Sequence, residues 1–213
     1  MFKPKILLLV FILALSFAWL SSSGFWKSTK ADRIGNRPEK HKVTNYVAEK
    51  IRTKADAASL FIKQNNYNDN ICFLVDMSLP SGQDRFFVYD LKHDTLQNAG
   101  LVTHGRCNEN WLDGRKYGNT VGCGCTSLGK YKVGYSYNGR FGLAFKLYGL
   151  DKTNDKAFSR FVVLHSHSCV PETEITNDIC QSDGCPTVAP GFLQQLKPII
   201  SESKKPVLLW IFE

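Results

Sequence analysis

Between residues 71 and 212 the chain alternates short apolar runs with turn-forming residues, the pattern of β-strands joined by tight connections. The predicted strands before the candidate catalytic region, and the one that ends the chain, cover residues 71–77, 86–91, 98–104, 130–137, 141–147 and 206–212. Two hairpins are expected, one turning at residues 92–94 and one at Asn138-Gly139. The alternation therefore predicts a fold built mainly from β-strands.

Two segments have the spacing of helices. Residues 43–63 place apolar side chains at steps of three or four, which predicts a helix before the first strand. A second helix is predicted at about residues 191–203, before the last strand. The expected fold is mainly β with a few helices, of the α+β class. Residues 43–213 are numerous enough to form one domain with its own core.

Residues 1–23 have the order of a secretory signal. Two lysines precede an apolar run over residues 6–20, and three serines follow it. This order predicts an exported protein of the periplasm or cell envelope. The apolar run is short for a bilayer-spanning helix, but Phe25 and Trp26 could hold an uncleaved anchor at the interface. A cleaved signal peptide and an N-terminal membrane anchor both stay open.

Residues 24–42 carry six lysines and arginines against two acidic residues, which predicts a basic linker. The formal net charge of the whole chain is +8. A basic surface suits anionic polymers or membrane headgroups. No arginine-rich stretch is interleaved with aromatic residues, so nucleic acid is not an expected partner.

A histidine and a cysteine twenty residues apart form the candidate catalytic pair. Residues 161–164 are apolar and largely β-branched, and they are expected to form a buried strand that delivers His165 at its end. Cys185 follows Gly184, whose missing side chain lets the backbone approach a substrate closely. A thiol of pKa about 8.5 needs a neighbouring imidazole to become a nucleophile at neutral pH. Backbone N–H groups of the Gly184-Cys185 turn could then stabilise an oxyanion.

The same residues also have structural explanations. Cys185 could be half of a disulfide, and His165 a hydrogen-bonded core histidine. His167 would share the sheet face of His165 if the strand continued, and it is the second candidate for the base. His104 ends a predicted strand beside Gly105 and is expected to face the cavity of Cys185; the alternative is a loop histidine bonded to its own backbone.

Leu164-His165, followed by Ser182-x-Gly184-Cys185-Pro186, resembles the active-site signature of the L,D-transpeptidase catalytic domain family. The match is closest to the branch of that family in which proline follows the cysteine. Further segments are similar to that branch in the same order, namely residues 85–91, 101–105, 126–131 and 147–150 with Asn154 and Ala157. The resemblance covers roughly residues 71–196.

The resemblance implies a β-sandwich-like enzyme that remodels peptidoglycan. Cys185 would attack the carbonyl between the third residue of a stem peptide and D-alanine, and an amine of a second stem would resolve the acyl-enzyme. With water as acceptor the enzyme would be an L,D-carboxypeptidase. His165 and Gly184 are expected to take part in catalysis, and Ser182, His167 and His104 in substrate binding. No cofactor and no metal are expected, and the protein is expected to be a monomer.

Two departures limit the comparison. Many members of the wider family have histidine between the serine and glycine of the motif and arginine shortly after the cysteine. This chain has Asp183 and then Pro186-Thr187 at those positions. A substrate contact that other members make through that histidine or arginine is therefore not expected from the same residue types here.

Seven cysteines in an exported chain predict disulfides, and the odd total fits one free catalytic thiol. They are Cys72, Cys107, Cys123, Cys125, Cys169, Cys180 and Cys185. Six besides Cys185 allow up to three disulfides in fifteen connectivities. Cys169 with Cys180 would pin the insert between the catalytic candidates, and Cys107 could pair with Cys123 or Cys125. Cys72 is expected to be a packed thiol in a buried strand.

A zinc site is the alternative from another class of protein. Cys107, Cys123 and Cys125, with His104 or Cys169, could supply four ligands. Their C-x-C spacing differs from the C-x2-C knuckle of common structural sites, and an oxidising compartment favours disulfides. Under this reading the protein would be a non-catalytic wall-binding module.

Overall fold

The computed structural model describes residues 44–213. The predicted signal or anchor segment, the basic linker and Val43 lie outside the described residues, so those expectations stay predictions. No helix within the described range is long and apolar enough to cross a membrane.

Helix α1, Asn45–Asn65, precedes the sheet as the periodicity predicts. The Thr44 side chain accepts a hydrogen bond from the Val47 N–H at its start, and Asn66 ends it in the left-handed conformation. Its buried residues are Ile51, Ala55, Ala58 and Ile62, the stripe expected from the sequence. Helix α2, Pro190–Ser201, begins with proline, whose missing N–H has no helical partner at that position.

Within residues 44–213, eight strands form one mixed sheet. In chain order they are β1 (Ile71–Asp76), β2 (Phe86–Asp90), β3 (Thr95–Gly100), β4 (Gly129–Gly139), β5 (Gly142–Gly149), β6 (Val163–Ser166), β7 (Thr187–Val188) and β8 (Leu208–Phe212). The order across the sheet is β3-β2-β1-β8-β4-β5-β6-β7. The β1–β8 and β6–β7 pairs are parallel and the others antiparallel. The expected mainly β fold with a few helices is confirmed.

The sheet curves until its two ends meet. Strands β2 and β6 are five positions apart, which in a flat sheet separates them by about 24 Å. Nevertheless, Phe86 and Val88 of β2 share one apolar core with Leu164 of β6. Val102, just after β3, forms an antiparallel bridge with Val188 of β7. This closure gives the sandwich-like arrangement and carries residues 101–105 to the candidate nucleophile.

Two details of the predicted pairing are wrong. Strand β2 pairs with residues 95–100 rather than 98–104, because residues 101–105 leave the sheet edge to reach β7 and Ser182. The β4–β5 hairpin turns at Arg140-Phe141, between paired Gly139 and Gly142, two residues beyond Asn138-Gly139. Gly142 supplies the positive φ of 81° at that turn.

Candidate active site

The turn before Cys185 requires glycine. Gly184 has φ of 103°, and a Cβ there would lie 2.5 Å from the Cys125 carbonyl oxygen. The Ser182 hydroxyl donates to the Cys185 carbonyl at 2.7 Å and accepts the Gly184 N–H at 3.1 Å. The substrate-binding role of Ser182 stays a prediction, since in the structure its hydroxyl holds the turn.

The Cys185 thiol lies against the start of β6. Its Sγ is 3.5 Å from the Val163 backbone nitrogen, which donates to it, and 3.8 Å from the Phe161 carbonyl oxygen. Burial raises the pKa of Cys185, while the Val163 N–H and the charges of Arg160 and Lys146 oppose the rise. A base is therefore needed to generate the thiolate at neutral pH.

One backbone donor beside the thiol stays available for an oxyanion. The Gly184 N–H is used by Ser182. The Cys185 N–H makes no hydrogen bond to any residue in the range 44–213. Because Pro186 has no N–H, Cys185 itself is the donor of this turn that can receive developing negative charge.

His165 lies inside β6, not after its end. The predicted strand over residues 161–164 is displaced, because Phe161 adopts a left-handed turn with φ of 58° and the strand begins at Val163. Alternation then sends Leu164 into the core and His165 to the opposite face. The register pairs His165 with Thr187, two residues beyond Cys185.

The hydrogen bonds of His165 fix its tautomer. Nδ1 lies 3.1 Å from the Ser166 carbonyl, which can only accept, so Nδ1 carries the proton. Nε2 then presents a lone pair to the Thr187 hydroxyl at 3.0 Å. Burial lowers the pKa of His165 below its usual value, with His167 adding to the effect. The neutral imidazole is the form that can take a proton.

Thr187 links the two catalytic candidates. Its hydroxyl lies 3.4 Å from the Cys185 carbonyl as well as 3.0 Å from His165 Nε2. Residues two apart on a strand are separated by about 6.5 Å on one face. Cys185 beside Val163 and His165 beside Thr187 are therefore neighbours on the same face of the sheet.

Phe141, from the β4–β5 turn, packs against both histidines of β6. Its ring stacks on His165 at 5.2 Å and meets His167 edge-on at 5.3 Å. His167 Nδ1 accepts the Cys169 N–H at 3.1 Å. His167 thus helps to hold the loop after β6, and its substrate-binding role stays a prediction.

The side chain of His104 is buried against Arg85 rather than bonded to the thiol. Arg85 Nη2 lies 3.1 Å from His104 Nδ1, which must accept because a guanidinium only donates. Burial lowers the pKa of His104 to about 4, with the charges of Arg85 and Arg115 adding to the shift. The His104 carbonyl accepts the Ser182 N–H at 2.9 Å. Its predicted contact with substrate is not tested by these interactions and stays a prediction.

Two disulfides flank the site. Cys169 pairs with Cys180 and closes the insert between the catalytic candidates, as expected. Cys107 pairs with Cys125, and the alternative partner Cys123 is free and half-buried.

Of the up to three disulfides that six cysteines allow, two form, and Cys72, Cys123 and Cys185 are free. Cys72 is the buried thiol that the strand pattern predicted. Within residues 44–213 no cluster of three or more metal-ligating side chains is present, and disulfide-bonded Cys107 and Cys125 cannot act as thiolate ligands.

Arg160 is a neighbour of the site that the sequence did not identify. Its guanidinium donates to the carbonyls of Gly118 and Cys125 and to the Ser127 hydroxyl. Arg160 thereby fixes the disulfide loop against Gly184. No pattern in the sequence connects Arg160 with residues 118–127. Lys146 is a second neighbour of the site, and the alternation of side chains along residues 141–147 could have predicted that it shares a sheet face with His165.

Residues 42–212 match the family described as the L,D-transpeptidase catalytic domain. The chain belongs to the L,D-transpeptidase catalytic domain family. Proteins of this family act on peptidoglycan stem peptides. Membership supports a peptidoglycan-modifying enzyme, and assignment to the Gly-Cys-Pro branch stays a prediction. A comparison with curated proteins gives no match.

Solved structures similar to this chain include two L,D-transpeptidases. One, from Mycobacterium smegmatis, has 9% identity and a TM-score of 0.39, over 68% of this chain and 59% of that one. LdtMt1 in complex with imipenem has 9% identity and a TM-score of 0.40, over 67% and 59%. A fused Zn-dependent amidase/peptidase/peptidoglycan-binding protein from Clostridium acetobutylicum has 13% identity and a TM-score of 0.36, over 80% and 63%. The chain thus covers less than two thirds of each.

Proposed function

We propose that this protein is an exported murein L,D-transpeptidase with Cys185 as nucleophile and His165 as general base. The observation that carries the proposal is the shared sheet face of β6 and β7. It sets the Cys185 thiol beside Val163 and the lone pair of His165 Nε2 beside Thr187. The thiol, the neutral imidazole and the unused Cys185 N–H thus occupy neighbouring positions of one sheet face, which supports the roles of nucleophile, base and oxyanion donor.

The first half of the reaction forms a thioester. His165 takes the thiol proton, directly or through the Thr187 hydroxyl, and the sulfur attacks the carbonyl of the third stem residue, a diamino acid. The Cys185 N–H stabilises the resulting oxyanion. The bond to D-alanine breaks, and the leaving amine takes the proton from His165.

The second half of the reaction transfers the acyl group. The amine of a second stem attacks the thioester, His165 accepts a proton from that amine, and the thiol is regenerated. The product is a cross-link between two third-position residues. Water in place of the amine gives a shortened stem and no cross-link.

Export of the protein is part of the proposal. The two disulfides support it, because reducing cytosol disfavours structural disulfides. The substrate lies in the envelope, and a basic chain suits anionic wall polymers. Fractionation of producing cells should place the protein in the envelope or periplasm; recovery from the cytosol with all thiols reduced would contradict export.

Incubation with purified wall followed by mass spectrometry of the muropeptides tests the reaction. We expect released D-alanine and dimers joined through third residues, both absent with Cys185→Ser, because an alcohol is too weakly acidic to replace the thiolate. Tripeptide stems without dimers would identify a carboxypeptidase. Products formed equally by the variant would remove Cys185 from the mechanism.

A further inference from the structure

A lysine lies across strand β6 from the Cys185 thiol, on the same side of the sheet as His165. Lys146 of β5 pairs with Val163 of β6, and the register pairs Ala144 with His165. Directly opposed residues of antiparallel strands share a face. Lys146 and His165 therefore project on the same side of the sheet, and Val163 lies between Lys146 and the sulfur to which it donates.

Aromatic rings surround the Lys146 ammonium. Its Nζ lies 4.5 Å from the ring centre of Tyr137, 5.7 Å from that of Phe158 and 5.8 Å from that of Phe161. Within residues 44–213 no carboxylate forms an ion pair with Lys146. Ring faces attract a cation but offer only weak hydrogen-bond acceptance. The ammonium is therefore oriented by the rings while its charge stays without an anion.

Phe161 places its carbonyl beside the sulfur and its ring in solvent. Phe161 occupies a left-handed position, stabilised by a hydrogen bond from the Val162 N–H to the Ala157 carbonyl at 3.0 Å. Glycine is the usual residue there, and a bulky ring is strained. The ring is 75% exposed, while the carbonyl of the same residue contacts the Cys185 thiol.

We propose that Lys146 binds the terminal carboxylate of the residue that leaves when Cys185 attacks. The ligand class is a peptide whose scissile carbonyl is followed by one residue with a free carboxylate. Such a carboxylate lies one residue from the attacked carbon, and β6 is the one strand between Lys146 and the sulfur. That the leaving residue is D-alanine rests on the function proposed above. The presence of a site for a carboxylate beside Cys185 does not depend on that function.

The charge near the thiol can be measured without any turnover. The rates at which iodoacetate and neutral iodoacetamide alkylate Cys185 are compared, with the adduct read on the Cys185 peptide because Cys123 is also free. The ratio of the two rates cancels a general change in thiol reactivity. Lys146→Met keeps the aliphatic stem and should lower the iodoacetate to iodoacetamide ratio by about three- to tenfold.

Lys132 provides the matched control. It lies on β4 with its Nζ 4.6 Å from the Tyr148 ring centre, and its charge is not among those that affect the Cys185 pKa. Lys132→Met should leave the alkylation ratio unchanged, and Lys146→Arg should retain it. An unchanged ratio in Lys146→Met, or an equal fall in both methionine variants, would overturn the carboxylate site.

Substrate preference tests the assignment to the leaving residue. The wild type should favour a tetrapeptide stem with a free carboxylate over its C-terminal amide by about 10- to 100-fold in kcat/KM, the worth of one charge-assisted hydrogen bond. Lys146→Met should lose this preference mainly through KM. Equal use of both stems by the wild type would refute the proposal. The proposed reaction, and not the carboxylate site, would be refuted if the wild type turned over neither stem while its iodoacetate to iodoacetamide ratio still exceeded that of Lys146→Met.

Discussion

The two halves of the sheet differ in what covers their outer face. On the β1, β2 and β8 half, helix α1 packs over the sheet and encloses a second apolar cluster that includes Leu74, Phe87 and Leu208. On the β4, β5 and β6 half, none of the described helices belongs to such a cluster, and the outer face carries His165, Lys146 and aromatic rings. Strand pairing is similar in both halves, so the two faces differ by the helix that packs over one of them, while the other carries the candidate site.

A charge on each half shows the consequence of the covering. Lys50 of α1 forms an ion pair with the buried carboxylate of Asp76 at 2.9 Å. On the half formed by β4, β5 and β6, which α1 does not cover and which is called the open half below, Lys146 has aromatic neighbours and no acidic partner in residues 44–213. The buried Asp76 is thus neutralised by a residue of the chain, whereas Lys146 keeps a charge that a ligand can neutralise.

Thiol labelling should give the largest contrast between the halves. Burial raises the pKa of Cys72, on the covered half, to about 12. We expect Cys185 and half-buried Cys123 to react in the native protein, and Cys72 to react at least ~10³-fold more slowly, because its labelling requires unfolding. Residue-resolved mass spectrometry of alkylated protein measures all three rates. If Cys72 were labelled in the native protein as fast as Cys185, helix α1 would not exclude the reagent from the covered half of the sheet.

The two histidines of β6 sharpen the comparison within the open half. His165→Ala should lower turnover by roughly 10²–10⁴-fold, the usual worth of a general base, since its Nε2 lone pair faces Thr187. His167→Ala should cost less, because its Nδ1 holds the Cys169 backbone. Steady-state rates on a purified stem peptide measure both variants. A larger loss with His167→Ala would exchange their roles.

The acidic limb of the rate profile should follow His165. Because burial lowers its pKa below 6.5, the base stays neutral to a lower pH than free histidine would. Turnover should therefore fall only below the usual histidine range. A profile that falls at or above pH 6.5 would contradict His165 as the base in this environment.

The parts of the fold that depend on local pattern could be predicted from the sequence. The stripe of α1 and the glycine before Cys185 follow from side-chain spacing and from a backbone that only glycine adopts readily. The start of β6 could not, because Phe161 is apolar enough for a strand but ends a helical turn. Its conformation depends on a hydrogen bond to Ala157 and on the contacts of the folded chain.

Long-range contacts set the rest of the site. Residues 101–105 have a strand-like sequence, yet they bridge β7 and Ser182 because the curved sheet brings its ends together. Cys107 pairs with Cys125 and not with Cys123, and this pairing depends on how residues 105–125 pack in the folded chain. Chemistry and spacing are enough to propose His165 and Cys185 as candidates. The position of Thr187 between them is known only once the parallel register is known.

His104 should give the smallest effect, on stability rather than rate, and it lies where the two ends of the sheet meet. Its imidazole faces Arg85 and the charges of Arg115 and Asp178, and its pKa falls from 6.5 to about 4 on folding. Between pH 6.5 and pH 4, His104 is therefore protonated in the unfolded chain and neutral in the folded protein. The free energy of unfolding should fall by about 3 kcal/mol as the pH drops from 6.5 to 4. Above pH 7 His104 is neutral in both states, so it should cause no pH dependence there.

Urea unfolding at several pH values measures this dependence, with His104→Gln as the variant that cannot titrate. We expect the variant to be destabilised at pH 7, because Arg85 Nη2 loses a well-placed acceptor, and to show a flatter pH profile than the wild type. His165→Gln is the matched control: its pKa is also lowered, so it should flatten the profile as well but leave the His104 contribution in place. If His104→Gln keeps the wild-type slope while raising KM, the imidazole acts on substrate, and burial against Arg85 does not describe its role.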